Sequence, residues 1–238
     1  MKLALAAALS ALALVVPSAQ RFVGAAPLTS FDSQFVLQRY ELAMGNLVTP
    51  QVMIFTYDVS QLGASDIEQR HVIYRSGLNV RDETIAVDGI PIKPKMVNFA
   101  RREDHYSIAR LAPHSTTYAI VFVKTVRDGA HLDYRYDLTP LAPTSGFVIT
   151  GLVIDGLSFL PRELDFSTAS GTAHGHGTLV YGKADKYWMP LYVTVEASVD
   201  GKPARERIIW GAYRFPPALP ASTFIPPKPL PHATLPPI

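Results

Sequence analysis

Asp-Gly occurs four times in this chain, at Asp88-Gly89, Asp128-Gly129, Asp155-Gly156 and Asp200-Gly201, each time between runs of β-branched and aromatic residues. A two-residue type I′ turn needs positive φ at both central positions. Gly adopts that conformation freely and Asp tolerates it, so the dipeptide in this setting predicts β-hairpins. Each turn also sets a register. At Asp128-Gly129 it places Lys124 opposite Asp133, with Val123 meeting Tyr134 and Val121 meeting Tyr136 on the other face. At Asp200-Gly201 it places Glu196 opposite Arg205, Val193 opposite Ile208 and Leu191 opposite Trp210. At Asp155-Gly156 it places Leu152 opposite Phe159. Opposite charges on one face and large apolar pairs on the other are what paired strands require.

Ten strands follow from the segments 51–59, 68–75, 79–87, 117–126, 131–138, 146–154, 158–167, 173–182, 187–198 and 203–214, with 95–100 a weaker eleventh. Residues 52–59 and 117–126 are apolar on both faces, so the sheet must be covered on both sides. One segment, 33–48, reads as helix. Phe35, Val36, Tyr40, Ala43, Met44 and Leu47 recur there at steps of three and four, with Thr29, Ser30 or Asp32 to cap its start and Pro50 beyond its end. A weaker helical or irregular stretch is expected near 93–112. Nine of the 20 prolines fall in residues 216–238, which marks an extended tail at 226–238. At the other end, Lys2 precedes an apolar run over residues 3–16, too short to span a bilayer and of signal-peptide length. Residues 1–25 are therefore expected to be a signal peptide, residues 26–225 one domain, and the mature protein exported, periplasmic or extracytoplasmic, and soluble.

Several functions lose support at this level. With no cysteine, the exported chain has no disulfide, no thiol nucleophile and no thiolate for zinc. Lys and Arg total 22 against 20 Asp and Glu, without basic runs, so nucleic acid is not an expected partner. No G-x-S-x-G, H-E-x-x-H, phosphate loop or dinucleotide fingerprint occurs, and an enzyme is not expected. His174 and His176, in GTAHGHGTLVYG, would point to one face of a strand at a spacing compatible with half a metal site. No further ligand stands near in sequence, so the segment reads as a curved, glycine-eased strand with no metal, and no cofactor is expected.

Two stretches carry a family resemblance. YRSGLNVRDETIAVDG (residues 74–89) and YWMPLYVTVEASVDGKPARERIIWGAYRFPPALPASTF (residues 187–224) resemble the LolA-like group of exported lipoprotein and lipid carriers, and the related RseB/MucB-type sensor domain. The element order agrees over most of residues 30–225. The resemblance implies an unclosed β-barrel with helices plugging its mouth, an apolar cavity for acyl chains, and a role for Arg75 at the position where the family has a lid-controlling Arg.

The expected architecture is mainly β (α+β): an unclosed, strongly curved antiparallel half-barrel with a long N-terminal helix across its concave face. Turn register places Val121, Val123, Leu132, Tyr134, Tyr136, Met189, Leu191, Val193, Ile208 and Trp210 on one ligand-binding surface, and the resemblance implies that Arg75 stands near its mouth. The expected function is a non-catalytic carrier of lipid or lipoprotein acyl chains, acting as a monomer with a membrane-bound donor or acceptor protein. A lipid-sensing domain of an envelope signalling system is the rival, and a secreted hydrolase a more distant one.

Overall fold

Positive φ at both Asp88 and Gly89 (48° and 75°), and at both Asp200 and Gly201 (51° and 77°), marks two of the four Asp-Gly pairs as the expected hairpin turns. They belong to a computed structural model that describes residues 30–226, except 64, 65, 130 and 145. The expected signal peptide and all but the first residue of the expected tail lie outside the described residues. One helix, α1 (Ser30–Gly45), precedes eleven strands. These are β1 (Val52–Leu62), β2 (Ile67–Ser76), β3 (Asn79–Val87), β4 (Ile90–Arg101), β5 (Tyr118–Asp128), β6 (His131–Pro140), β7 (Phe147–Ile154), β8 (Pro161–Ser170), β9 (Ala173–Ala184), β10 (Tyr187–Val199) and β11 (Lys202–Arg214).

All eleven strands join one open antiparallel sheet in the order β4-β3-β2-β1-β11-β10-β9-β8-β7-β6-β5. The chain meanders outwards from β1 to one edge at β4. It then passes along residues 102–117 to the opposite edge at β5 and meanders back to β11, which closes on β1. The first part of the stretch expected to be helical or irregular, residues 93–101, thus belongs to β4. Pro91 and Pro94 are tolerated because an edge strand leaves one side of its backbone unpaired. Only Ile108–Leu111 in the linker is helical, as a short 3-10 turn capped by the Ser107 side chain.

Two hairpins depart from the expected register. Asp128 pairs with His131, so the loop begins one residue later than the Asp-Gly pair, and Lys124 faces Arg135 while Val126 faces Asp133. Asp133, 2% exposed, is held instead by Arg162 Nη1 at 2.6 Å and by the Gly156 amide at 3.1 Å. A bulge between Phe122 and Lys124 then shifts the pairing, so Tyr136 meets Phe122 and Val121 meets Asp137. Asp155 does not form a two-residue hairpin. Its Oδ1 accepts from the Leu157 and Ser158 amides and the Ser158 hydroxyl, which favours a wider loop, and Leu152 faces Leu164 instead of Phe159. At Asp200-Gly201, Glu196 faces Arg205 with an Nη2–Oε1 distance of 2.8 Å, and Val193 faces Ile208.

The register writes one apolar row across eight strands: Phe122, Tyr136, Leu152, Leu164, Leu179, Val193, Ile208 and Val59 are successive cross-strand partners. The neighbouring row on the other face is polar, with Asp137, Gly151, Asp165, Thr178, Thr194, Arg207 and Ser60. This alternation defines a helix-side face and a back face. Val36, Tyr40 and Met44 of α1 pack with Tyr136, Leu138, Leu152, Ile154, Leu164 and Tyr181 in one buried cluster. Burying each large side chain there is worth about 1.5–3 kcal/mol. Two of the tyrosines bury rings without wasting hydroxyls: Tyr136 donates to Ser33 O at 3.0 Å and Tyr40 to Pro113 O at 3.1 Å. The second bond also ties the linker to the helix.

Candidate ligand cleft

On β1, Met53, Phe55 and Tyr57 occupy alternate positions and so share the helix-side face. Pairing extends them sideways into two rows, Met53–Arg75–Val80–Ala100 and Phe55–Ile73–Asp82–Asn98. Ile208 and Trp210 add a wall from β11, where they face Val59 and Tyr57. Tyr106 comes in from the linker. Together these residues line a cleft of about 330 Å³ to which α1 contributes no side chain. Such a space, walled by aliphatic and aromatic groups with a few polar ones, suits an apolar ligand.

The polar groups fall at two places. At one, Asp82 accepts from the Tyr57 hydroxyl (3.1 Å) and lies 2.8 Å from His71 Nδ1. The Tyr57 and His71 rings stack with centroids 4.4 Å apart. Burial first, and the Asp82 carboxylate second, push the Tyr57 hydroxyl far above its ordinary pKa, so it remains a donor. Asp82 thereby meets two partners inside the fold. At the other place stands Arg75, which donates to Gly77 O (3.2 Å) and Asp104 O (2.7 Å) and lies over the Tyr106 ring at 5.6 Å. Burial, then the positive charges of Arg102 and Arg110, lowers the Arg75 pKa.

Of the residues singled out in the sequence, Arg75, Ile208 and Trp210 meet in this cleft. Val193 lies beside Ile208 on the same face and is 9% exposed. Tyr134 and Tyr136 share that face but pack into the helix cluster. Leu132 shares their strand face at the hairpin end and is 39% exposed. Val121 lies on the back face, 62% exposed, and Val123 is the extra residue of the bulge. A second bulge, between Pro190 and Tyr192, turns Met189 and Leu191 to the back face, where Leu191 Cδ1 fills the space left by Gly182. The register argument missed Met53, Phe55, Ile73, Val80 and Tyr106. Alternation of Met53, Phe55, Tyr57 and Val59 was the available signal.

A larger open groove, about 870 Å³, runs over the hairpin ends on the back face. His174 and His176 line it beside Glu196 and Arg205, and the His176, Glu196 and Arg205 side chains are 76%, 56% and 65% exposed. His176 Nε2 is 3.8 Å from Glu196 Oε2. Among the described residues no group of three or more His, Asp or Glu side chains could hold a metal ion. No helix among them is long and apolar enough to cross a membrane.

Sheet, helix and cleft define the class: an unclosed, mainly β fold with one helix packed on the face that carries an apolar cleft. No family model matches the chain, and no curated protein matches it. Among solved structures it is similar to a LolA superfamily protein from Nitrosomonas europaea, at 11% identity and a TM-score of 0.43 over 81% of this chain and 97% of that one. It is also similar to a domain described as an outer membrane lipoprotein-sorting protein from Vibrio parahaemolyticus (14%, TM-score 0.46, 79% and 95% covered). A DUF1329 family protein from Desulfovibrio piger stands at the same level (12%, 0.45, 80% and 97%).

Proposed function

We propose that this chain is an exported carrier that holds an acyl chain of a lipid or lipoprotein non-covalently, without catalysis or cofactor. The observation that carries this reading is the apolar cleft between Met53, Phe55, Ile73, Val80, Ile208 and Trp210, left uncovered by the helix. Each methylene moved from water into such a cleft gains about 0.8 kcal/mol, so a long chain accumulates useful affinity without any specific bond. In this reading the sheet is curved as a half-barrel, α1 lies across its concave side, and the cleft is the part of that hollow still open. Residues 1–25 direct export to the periplasm, where a monomer exchanges its acyl cargo with a membrane-bound donor and acceptor. The back-face groove is the poorer candidate, because its charged side chains are already well solvated.

A fluorescent fatty acid titrated into the protein tests the reading. Saturable binding that is lost in Ile208→Asp, with the fold retained by circular dichroism, is the expected result. Failure of the parent protein to bind the probe overturns it.

A further inference from the structure

We propose that the cleft takes amphiphiles with an anionic phosphate-ester headgroup, the phosphate seated among Arg75, Arg101 and Arg102 and the acyl chain running in past Val80 and Ala100. This rests on the acyl-binding reading and adds the headgroup to it.

The apolar cleft does not end at solvent. It shares Arg75, Arg102 and Tyr106 with a second, polar basin of about 560 Å³ formed by the end of β4 and the start of the linker. Four arginines line that basin (Arg75, Arg101, Arg102 and Arg110) against two acids, Glu103 and Asp104. Asp104 is engaged by Arg110 at 2.8 Å. Among the described residues no carboxylate forms an ion pair with Arg75, Arg101 or Arg102, and the two hydrogen bonds of Arg75 to main-chain carbonyls leave the rest of its N–H donors for a ligand. Positive charge is thus in excess, four arginines against two acids, where an apolar channel opens. In addition, Tyr106 lines both spaces, and its buried hydroxyl has no hydrogen-bond partner among the described residues. An oxygen of a ligand lying across the junction could satisfy that donor.

The geometry also gives the ligand a direction. Asp82 stands one cross-strand row further in than Arg75 and Val80, so an anion entering that end would meet a carboxylate. The arginine end attracts it. A guanidinium fork matches the oxygens of a phosphate, and several such forks favour a phosphate ester over the single charge of a carboxylate. The basin is roomy enough for the glycerol or other group that carries the phosphate.

The test is isothermal titration of the full chain with 1-oleoyl-lysophosphatidate, oleate, mono-oleoylglycerol and sn-glycerol 3-phosphate, each below its aggregation limit, at low and high salt. The lysophosphatidate should bind roughly tenfold or more tighter than the neutral glyceride at low salt, with oleate between them and glycerol phosphate far weaker. The double variant Arg101→Gln/Arg102→Gln, whose side chains are exposed, should abolish most of that preference, while mono-oleoylglycerol affinity, to which only the cleft-lining stem of Arg102 contributes, falls by much less. Equal affinity for the phosphate and neutral amphiphiles, or a preference that survives in the variant, overturns the headgroup assignment and leaves the acyl reading standing. Glycerol phosphate binding as tightly as the lysophosphatidate reassigns the basin to a free phosphate ester and overturns the amphiphile. Binding of neither amphiphile removes the acyl reading as well.

Discussion

One sheet face carries two different interiors. Across β6–β8, Tyr136, Leu152, Ile154 and Leu164 are 0–2% exposed beneath α1. Across β1 and β11, Phe55, Tyr57, Ile208 and Trp210 point the same way and remain half-buried around a cleft. The residue types are alike in the two regions. What differs is the cover. A 16-residue helix is about 24 Å long, whereas eleven strands at about 4.8 Å spacing extend over about 48 Å, so a single helix reaches only about half of such a face. The remaining apolar surface stays open unless another segment or a ligand lies on it.

If the two interiors differ as described, truncations should cost very different amounts. Leu152→Ala, under the helix, should destabilise the protein by about 2–5 kcal/mol, because a close-packed site leaves a cavity. Ile208→Ala, beside existing space, should cost about 1 kcal/mol and instead weaken acyl-probe binding. Chemical denaturation of both variants measures the contrast. Similar losses would erase the distinction between core and cleft.

A smaller effect is expected where the packed region runs to the hairpin ends. Gly177 lies beneath Phe166; a Cβ there would stand 2.5 Å from Thr194 O and 2.6 Å from the Phe166 ring. Gly177→Ala should therefore cost about 1–3 kcal/mol through overpacking, and denaturation without any change in probe affinity would place it outside the cleft.

The line between the two interiors also limits what could be read from the sequence. Strand existence was legible because turn chemistry and alternation are local, and Asp200-Gly201 set its whole hairpin correctly as far as Tyr192. The bulges were not legible. Each adds one residue to one strand, and a single-residue shift exchanges the faces beyond it, which is how Val121, Met189 and Leu191 left the expected surface. Asp155 misled for a different reason, since its side chain competes for the turn amides and builds a longer loop. The position of the cleft depended on which strands α1 covers, a long-range fact absent from any local pattern.

Filling the cleft sharpens the comparison from the other side. Ala100 stands on β4 opposite Val80, with the cleft before it. Ala100→Phe should change stability by no more than about 1 kcal/mol, because the ring enters existing space, while acyl-probe binding is abolished. A loss of about 1–3 kcal/mol, the usual result of overpacking, would mean that this region is as solid as the one beneath the helix.

The smallest effect belongs to the back of the helix-covered region, where Glu163 and Asp165 flank Arg135 at 3.5 Å and 2.6 Å. Burial first, and the Asp165 charge second, raise the Glu163 pKa, and Arg135 and Arg162 only partly offset this. A carboxyl whose folded pKa exceeds its unfolded value favours the fold while protonated, and that contribution disappears as pH rises through the folded pKa. At neutral pH the ionised Glu163 is therefore a slight burden. Glu163→Gln removes the charge and should raise stability there by about a few tenths of a kcal/mol, discounted because its side chain is 35% exposed and solvent screens it. Near pH 4 and below, where the parent carboxyl becomes protonated, the gain should vanish. Melting curves of parent and variant at the two pH values measure this, and a gain that persisted in acid would point to packing rather than charge. Acyl-probe affinity should not move at either pH, since Glu163 and the cleft lie on opposite faces of the sheet.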